Sequence, residues 1–154
     1  QNIWDRYRNV IGIFIRKTLN GIPILVYGDG EQTRAFSDIQ YYMEPFDLLH
    51  DNFDGEIFNI GADKFFTLNK VAETVQSIGK KYGYDVPIEH AEGRHEVKHA
   101  YCNHDKAKTM LGFRDNTKLE ELIEDMFVWA MNQPNRKVKD FEYEITDGIY
   151  DYWK

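Results

Sequence analysis

The chain has 154 residues, of which 42% are hydrophobic, and a formal net charge of −7. It is about as long as one domain and long enough to bury a single core, so the composition excludes an intrinsically disordered protein. The acidic balance argues against a general nucleic-acid binder or a binder of anionic membranes, because both need clustered positive charge, but it leaves room for a local basic pocket.

Predicted helices and strands alternate along the chain. The helices follow from apolar residues three and four positions apart, and the strands from short apolar runs rich in β-branched residues. Asn9, Thr67 and Thr117 mark helix starts, whereas Gly28 and Gly30 mark a tight turn, because glycine tolerates positive φ. In chain order, the predicted elements are a helix over 9–19, a strand over 22–27, a mixed helical stretch over 36–51, a strand over 56–60, a helix opened by Thr67 and closed before Gly83, short strands over 87–90 and 97–101, a helix over 105–111 and a helix from Thr117 to Pro134.

This alternation is typical of the α/β class and predicts a single domain over residues 1–154. The tail over 141–154 alternates aromatic and acidic residues and is expected to lie along the body. The one cysteine, Cys102, cannot form an internal disulfide, so a reducing, cytoplasmic compartment fits best. No apolar run approaches the roughly 18–20 residues of a membrane span. Because the chain starts at Gln1 with neither an initiator methionine nor a signal peptide, we expect a fragment of a longer protein.

One motif suggests a metal site. His95-Glu96-Val97-Lys98-His99 fits the pattern H-E-x-x-H, in which two zinc ligands and a glutamate base share one helical face. That chemistry requires a helix, because only there do residues four apart converge on one metal. Gly93 precedes the motif and residues 97–101 have the composition of a strand, so histidines at a pocket rim are the favoured interpretation. A zinc-dependent hydrolase using His95, Glu96 and His99 is kept as an alternative.

Three other elements suggest an anion site. Arg34 follows a predicted strand and a glycine turn, which puts a guanidinium at the carboxyl end of a strand, where α/β proteins usually bind ligands. Asn9 opens a helix, whose free N–H groups and dipole favour anions, and Arg94 adds a third positive element. Each has an ordinary structural explanation: a solvated turn, a helix cap and a surface side chain. Together they predict a local phosphate pocket.

Read in order, the segments resemble the C-terminal part of UDP-glucose 4-epimerase-like proteins, in the NAD-dependent epimerase/dehydratase group of the extended short-chain dehydrogenase/reductase family. The resemblance covers nearly the whole chain. It is carried by Tyr7-Arg8-Asn9-Val10-Ile11-Gly12-Ile13-Phe14, Val26-Tyr27-Gly28-Asp29-Gly30-Glu31-Gln32-Thr33-Arg34-Ala35-Phe36-Ser37, Phe58-Asn59-Ile60-Gly61, Thr67-Leu68, Arg94-His95-Glu96-Val97-Lys98-His99-Ala100-Tyr101, Leu111-Gly112-Phe113 and Gly148-Ile149-Tyr150-Asp151-Tyr152-Trp153.

The resemblance implies a site for a UDP-sugar. Asn9 and the Val10 amide would contact the sugar diphosphate, and Arg34 and Arg94 would clamp it. Leu25 and Tyr27 would border the uracil, mainly through their backbone, and Glu96 would lie near the ribose. The implied substrate-binding residues are therefore Asn9, Val10, Leu25, Tyr27, Arg34, Arg94 and Glu96, with no catalytic, cofactor-binding or metal-binding residue in this chain.

The catalytic apparatus of the family is missing from the sequence. Members carry a glycine-rich NAD fingerprint and a Tyr-x-x-x-Lys base on an N-terminal Rossmann domain. This chain contains no G-x-x-G-x-x-G, and its one Tyr-x-x-x-Lys spacing, from Tyr150 to Lys154, stands in the tail that resembles the C-terminal end of the family. We therefore expect the nucleotide-sugar-binding half of an NAD-dependent epimerase or dehydratase, inactive alone, whose partners are a UDP-sugar and a missing NAD-binding domain. If residues 56–60 form a strand that normally joins the sheet of the N-terminal domain, its edge is unpaired in this chain, so we expect either pairing with a second copy through that edge or local repacking. A non-catalytic interaction domain is a further alternative.

Overall fold

The computed structural model describes residues 2–51, 53–134, 136 and 147. The predicted tail over 141–154 lies outside the described residues, apart from position 147. In chain order, the elements are α1 Val10–Leu19, β1 Ile24–Tyr27, β2 Thr33–Ala35, a 3₁₀ turn Ile39–Tyr42, α2 Met43–Asp51, β3 Phe65–Thr67, α3 Leu68–Lys81, β4 Ile88–Ala91, β5 His99–Ala100, α4 Asp105–Leu111 and α5 Leu119–Met131.

Two small sheets organise these elements. β1 pairs in parallel with β4, with Leu25 opposite Glu89. In the second sheet, β2 is central and pairs antiparallel with β3 and parallel with β5. A tight turn at Gly28 and Gly30, both with positive φ, carries the chain from β1 to β2. The class is α/β, as predicted, and the turn brings the ends of both sheets together.

The main core lies between the sheets and helices α1, α3 and α5. Each helix has apolar residues three and four positions apart, and these positions are the buried ones. Phe127 on α5 has no exposed surface and packs against the rings of Tyr82 and Tyr84. The α3 helix begins as predicted, because the Thr67 hydroxyl accepts the Lys70 N–H. This core holds α1 and β1 rigidly beside each other.

The predicted strand over 56–60 is wrong. The segment forms no ladder and instead packs against α4, where Phe58 and Ile60 join a second small cluster around Phe113. Lys106 forms an ion pair with Glu56 and donates a hydrogen bond to the Ile57 carbonyl. Side chains therefore fix this segment where the sequence suggested backbone pairing. Self-association through a strand edge at 56–60 loses its premise.

Two predicted helix caps differ in detail. Asn9 does precede α1, but it has φ of 70° and its side chain caps no N–H group. Thr117 does not open α5, because Lys118 is the residue before the helix. The Thr117 hydroxyl instead accepts the Asp38 N–H and donates to Asp115, and so ties the start of α5 to the segment after β2.

Candidate functional site

A cavity of about 680 Å³ opens between α1, β1, the start of β2 and the loop after β4. All seven residues that the sequence analysis assigned to a substrate site line this cavity, although they come from four separate stretches of the chain. They are Asn9, Val10, Leu25, Tyr27, Arg34, Arg94 and Glu96.

The N-terminus of α1 forms one wall of the cavity. Val10 is the first helical residue, and the first turn contains no acidic side chain. The Asn9 side chain makes no capping bond, so it accepts no hydrogen bond from the first N–H groups of the helix. The dipole of the helix adds partial positive charge at the same point. This end of α1 therefore suits an anionic group.

Arg34 is held on the opposite wall by β2 and β5. Its guanidinium donates to the Thr33 carbonyl at 2.8 Å and forms an ion pair with Glu96 at 3.4 Å. Both side chains are about a quarter to a third exposed. Glu96 therefore orients Arg34 and at the same time is the one carboxylate among the described residues that line the cavity.

Arg94 and Tyr27 form a stacked pair inside the cavity. The Arg94 guanidinium lies directly over the Tyr27 ring, which is a favourable cation–π arrangement. The amide of Gln32 donates to the Tyr27 carbonyl at 3.0 Å and fixes the end of β1. The aromatic face at the end of β1 is thus covered by a side chain that could move when a ligand enters.

The backbone of Leu25 faces the cavity edge of β1. The Ile24 N–H donates to Pro87 and the Gly28 N–H donates to Ala91, so the even-numbered residues of β1 bond to β4. In a parallel ladder, the residues between them direct both backbone groups the other way. Leu25 therefore offers one donor and one acceptor at the edge of β1 that β4 does not occupy.

Sequence reasoning missed three cations on the cavity wall, namely Arg6, Arg16 and Lys17. Burial lowers the pKa of Arg16, and the nearby Arg6 lowers it further. Burial also lowers the pKa of Lys17, with contributions from Arg16 and Arg94. A signal for Lys17 was present, because Asn9, Ile13 and Lys17 follow one another at intervals of four and share one helical face. Positive charge is thus concentrated in one cavity of an acidic chain.

The H-E-x-x-H segment does not form the helix that a zinc site needs. Residues 95–98 lie outside helices and strands, and His99 begins β5. The His99 ring nitrogen Nδ1 is 2.8 Å from the Thr33 hydroxyl, so this histidine is engaged in the sheet. Within the ranges that the structure describes, no three His, Cys, Asp or Glu residues are grouped so that they could hold a metal ion. In the part of the chain that the structure describes, no helix is long and apolar enough to cross a membrane.

Comparisons with known proteins show which proteins the chain is similar to. Residues 4–61 match the NAD dependent epimerase/dehydratase family. A UDP-N-acetyl-alpha-D-glucosaminuronate decarboxylase from Bacillus cytotoxicus is 30% identical over 128 residues, which are 80% of this chain and 40% of that protein. The crystal structure of a UDP-glucose 4-epimerase with UDP-glucose from Thermotoga maritima has a TM-score of 0.71 and 26% identity, over 84% of this chain and 43% of that one.

A third relative contains the family cofactor. The UDP-glucuronic acid 4-epimerase from Bacillus cereus, solved with UDP-glucuronic acid and NAD, has a TM-score of 0.66 and 20% identity, over 80% of this chain and 40% of that one. The chain spans about 40% of the length of each of these relatives. The α/β fold therefore corresponds to part of an extended short-chain dehydrogenase/reductase. The chain is therefore similar to members of the NAD dependent epimerase/dehydratase family, whose model its residues 4–61 match.

Proposed function

We propose that this chain is the nucleotide-sugar-binding half of an epimerase or dehydratase and that it holds a UDP-hexose. The observation that carries the proposal is the convergence of Arg34, Arg94 and the N-terminus of α1 on one cavity. These are three positive elements on different walls, and a diphosphate lying between them could contact all three. In this arrangement, Arg34 and Arg94 bind the diphosphate, and Asn9 and the Val10 amide contact it at the helix end.

The nucleoside end of the ligand fits the other end of the cavity. Leu25 offers a backbone donor and acceptor there, which suit the alternating acceptor and donor groups on the edge of uracil. The Tyr27 ring provides a flat apolar face beside them. Arg94 lies over this ring in the present structure, so ligand binding would move its guanidinium from the ring toward the phosphates. Glu96 would lie near the ribose and keep Arg34 oriented.

The chemistry itself requires residues that this chain lacks. Its sequence contains no G-x-x-G-x-x-G, so no glycine-rich turn is present to hold the pyrophosphate of NAD, and its one Tyr-x-x-x-Lys spacing, from Tyr150 to Lys154, lies in the C-terminal tail. Several large apolar side chains are also uncovered, among them Ile57, with 82% of its surface exposed, and the stacked pair Phe65 and Tyr101. We infer that a separate NAD-binding domain covers part of this surface in the complete enzyme. This chain would then position the sugar, and would be inactive alone.

The experiment that tests the proposal is a titration of the chain with UDP, followed by amide chemical shifts. We expect saturable shifts near Asn9, Tyr27 and Arg34. In Arg34→Ala, the UDP affinity should fall by about 10- to 100-fold, because a charge-assisted hydrogen bond contributes roughly 1.5–3 kcal/mol. Arg114→Ala is the matched control, since Arg114 is exposed and does not line the cavity.

Two results would contradict the proposal. If UDP produces no shifts at millimolar concentration, the cavity is not a nucleotide site, and the non-catalytic interaction domain becomes the better interpretation. If Arg114→Ala weakens binding as much as Arg34→Ala does, the interaction is non-specific charge attraction. Treating the protein with EDTA before the titration separates both results from any effect of bound metal.

A further inference from the structure

Lys17 and Leu25 both line the cavity. The Ile22 N–H donates to the Lys17 carbonyl at 2.9 Å, so the chain reverses directly after α1 and β1 runs back beside the last turn of the helix. Glu89, which is opposite Leu25 in the β1–β4 register, acts electrostatically on the Lys17 ammonium. Lys17 therefore shares the cavity with the strand residue that we assign to the nucleobase, and its ammonium is within electrostatic reach of the β4 partner of that residue.

The positive groups at this point have hydrogen-bond donors to spare. Among the residues that the structure describes, no carboxylate is within ion-pairing distance of the Lys17 ammonium. The buried Nε of the neighbouring Arg16 has no hydrogen-bond partner. The dipole of α1 favours cations in its last turn, which explains the positive charge there. It does not provide acceptors for these donors, and both side chains line the cavity.

We propose that Lys17 selects the nucleobase by donating a hydrogen bond to a carbonyl oxygen of the base, with Arg16 adding positive potential beside it. An ammonium group can only donate. A carbonyl oxygen, as at position 4 of uracil, satisfies it, whereas the amino group at the same position of cytosine would present a second donor. In a half-buried site, two facing donors leave both groups unsatisfied, and this mismatch is costly. The inference rests on the proposed function, and it names the residue that sets its base specificity.

UDP and CDP are the appropriate probes, because they share the ribose and the diphosphate and differ in the groups at N3 and C4 of the base. Calorimetric titration of the unaltered chain should give an affinity for UDP at least about tenfold higher than for CDP, the discrimination expected from one polar group. Lys17→Met should lower the UDP affinity by about tenfold and change the CDP affinity by less than about threefold. The ratio of the two affinities should then fall by at least about threefold, and the backbone of Leu25 accounts for the preference that remains.

Two further variants make the test specific. Lys17→Arg keeps the positive charge and the donors, so it should keep most of the preference for UDP. Lys118→Met removes an exposed lysine near the start of α5, outside the cavity, and should change neither affinity. Melting curves show whether Lys17→Met is folded, and Lys17→Arg provides the comparison if it is not.

The outcomes separate this inference from the function on which it rests. Equal affinities for UDP and CDP in the unaltered chain would overturn the role of Lys17 and leave a nucleotide site in place. An equal loss of both affinities in Lys17→Met would also overturn it, because it would mean that Lys17 attracts the diphosphate and does not read the base. If neither nucleotide binds, both the inference and the proposed function are wrong.

Discussion

Phe127→Ala should lower the free energy of unfolding by about 3–5 kcal/mol, the range found when a fully buried phenylalanine is truncated. Phe127 has no exposed surface and is among the largest fully buried side chains of the core. Its ring is stacked with Tyr82 at 6.0 Å between centroids and meets Tyr84 edge-on at 5.9 Å. Truncation removes both aromatic contacts and leaves a cavity that α3 and α5 cannot close, because other buried residues hold them together.

Chemical denaturation followed by tryptophan fluorescence measures this loss, and the melting temperature should fall by roughly 6–20 °C for a chain of this size. Phe46→Ala is the matched control, because Phe46 on α2 is 48% exposed and lies outside both buried clusters. It should cost less than about 1 kcal/mol. Similar losses in the two variants would mean that the three-helix core is not the main source of stability.

The helices could be predicted from sequence because each contains its own evidence. In α3, the apolar residues recur at helical spacing from Leu68 to Ile78, and these positions are buried. The start at Thr67 could also be predicted, because a threonine before such a run can bond a free N–H group of the first turn. Gly112, with φ of 65°, ends α4 for the same kind of local reason. Where periodicity and capping residues agree, a helix can be predicted without knowing which residues distant in sequence it contacts.

The strands could be predicted less well, because a strand needs a partner that its own sequence does not specify. Residues 56–60 have suitable β-branched and aromatic side chains, yet they pack against α4 and are held by Lys106. In contrast, Phe65–Thr67 was not predicted as a strand. It pairs antiparallel with β2, on the edge of β2 that β5 does not occupy. Pairing is decided by which backbone lies nearby in the folded chain, and the pattern of residues gives only the tendency.

The positive part of the candidate site, at Asn9, Arg34 and Arg94, could be predicted from local sequence context, whereas the complete set of seven residues was predicted through family resemblance. The seven residues come from segments far apart in sequence, such as Asn9 and Arg94, and no local pattern brings them to one cavity. Lys17 was not predicted as a residue of the site. A lysine near the end of a helix is usually solvated, and only the folded chain shows that Lys17 and Leu25 line the same cavity.

The second large effect on stability is expected at the turn between β1 and β2. Gly30 has φ of 74°, a conformation that costs an L-residue about 1 kcal/mol or more. A β-carbon at this position would also clash with the side-chain amide of Asn69. That amide donates to the Asp29 carbonyl and to the Glu31 carboxylate, each at 2.8 Å, so it cannot move aside without losing both bonds. Gly30→Ala should therefore lower the free energy of unfolding by about 2–4 kcal/mol.

Gly21→Ala separates the two causes. Gly21 has a similar φ of 68°, but no atom lies within 4 Å of the position of its β-carbon, so this variant measures the conformational cost alone. We expect it to lose about 1 kcal/mol. The double variant Gly30→Ala with Asn69→Ala removes the clash and should lose less than the sum of its single variants, because the two sites are in contact. If Gly30→Ala and Gly21→Ala are equally stable, Asn69 does not hold the turn. Since this turn leads directly into β2, the position of Arg34 would then depend on the pairing of β2 with β3 and β5 alone.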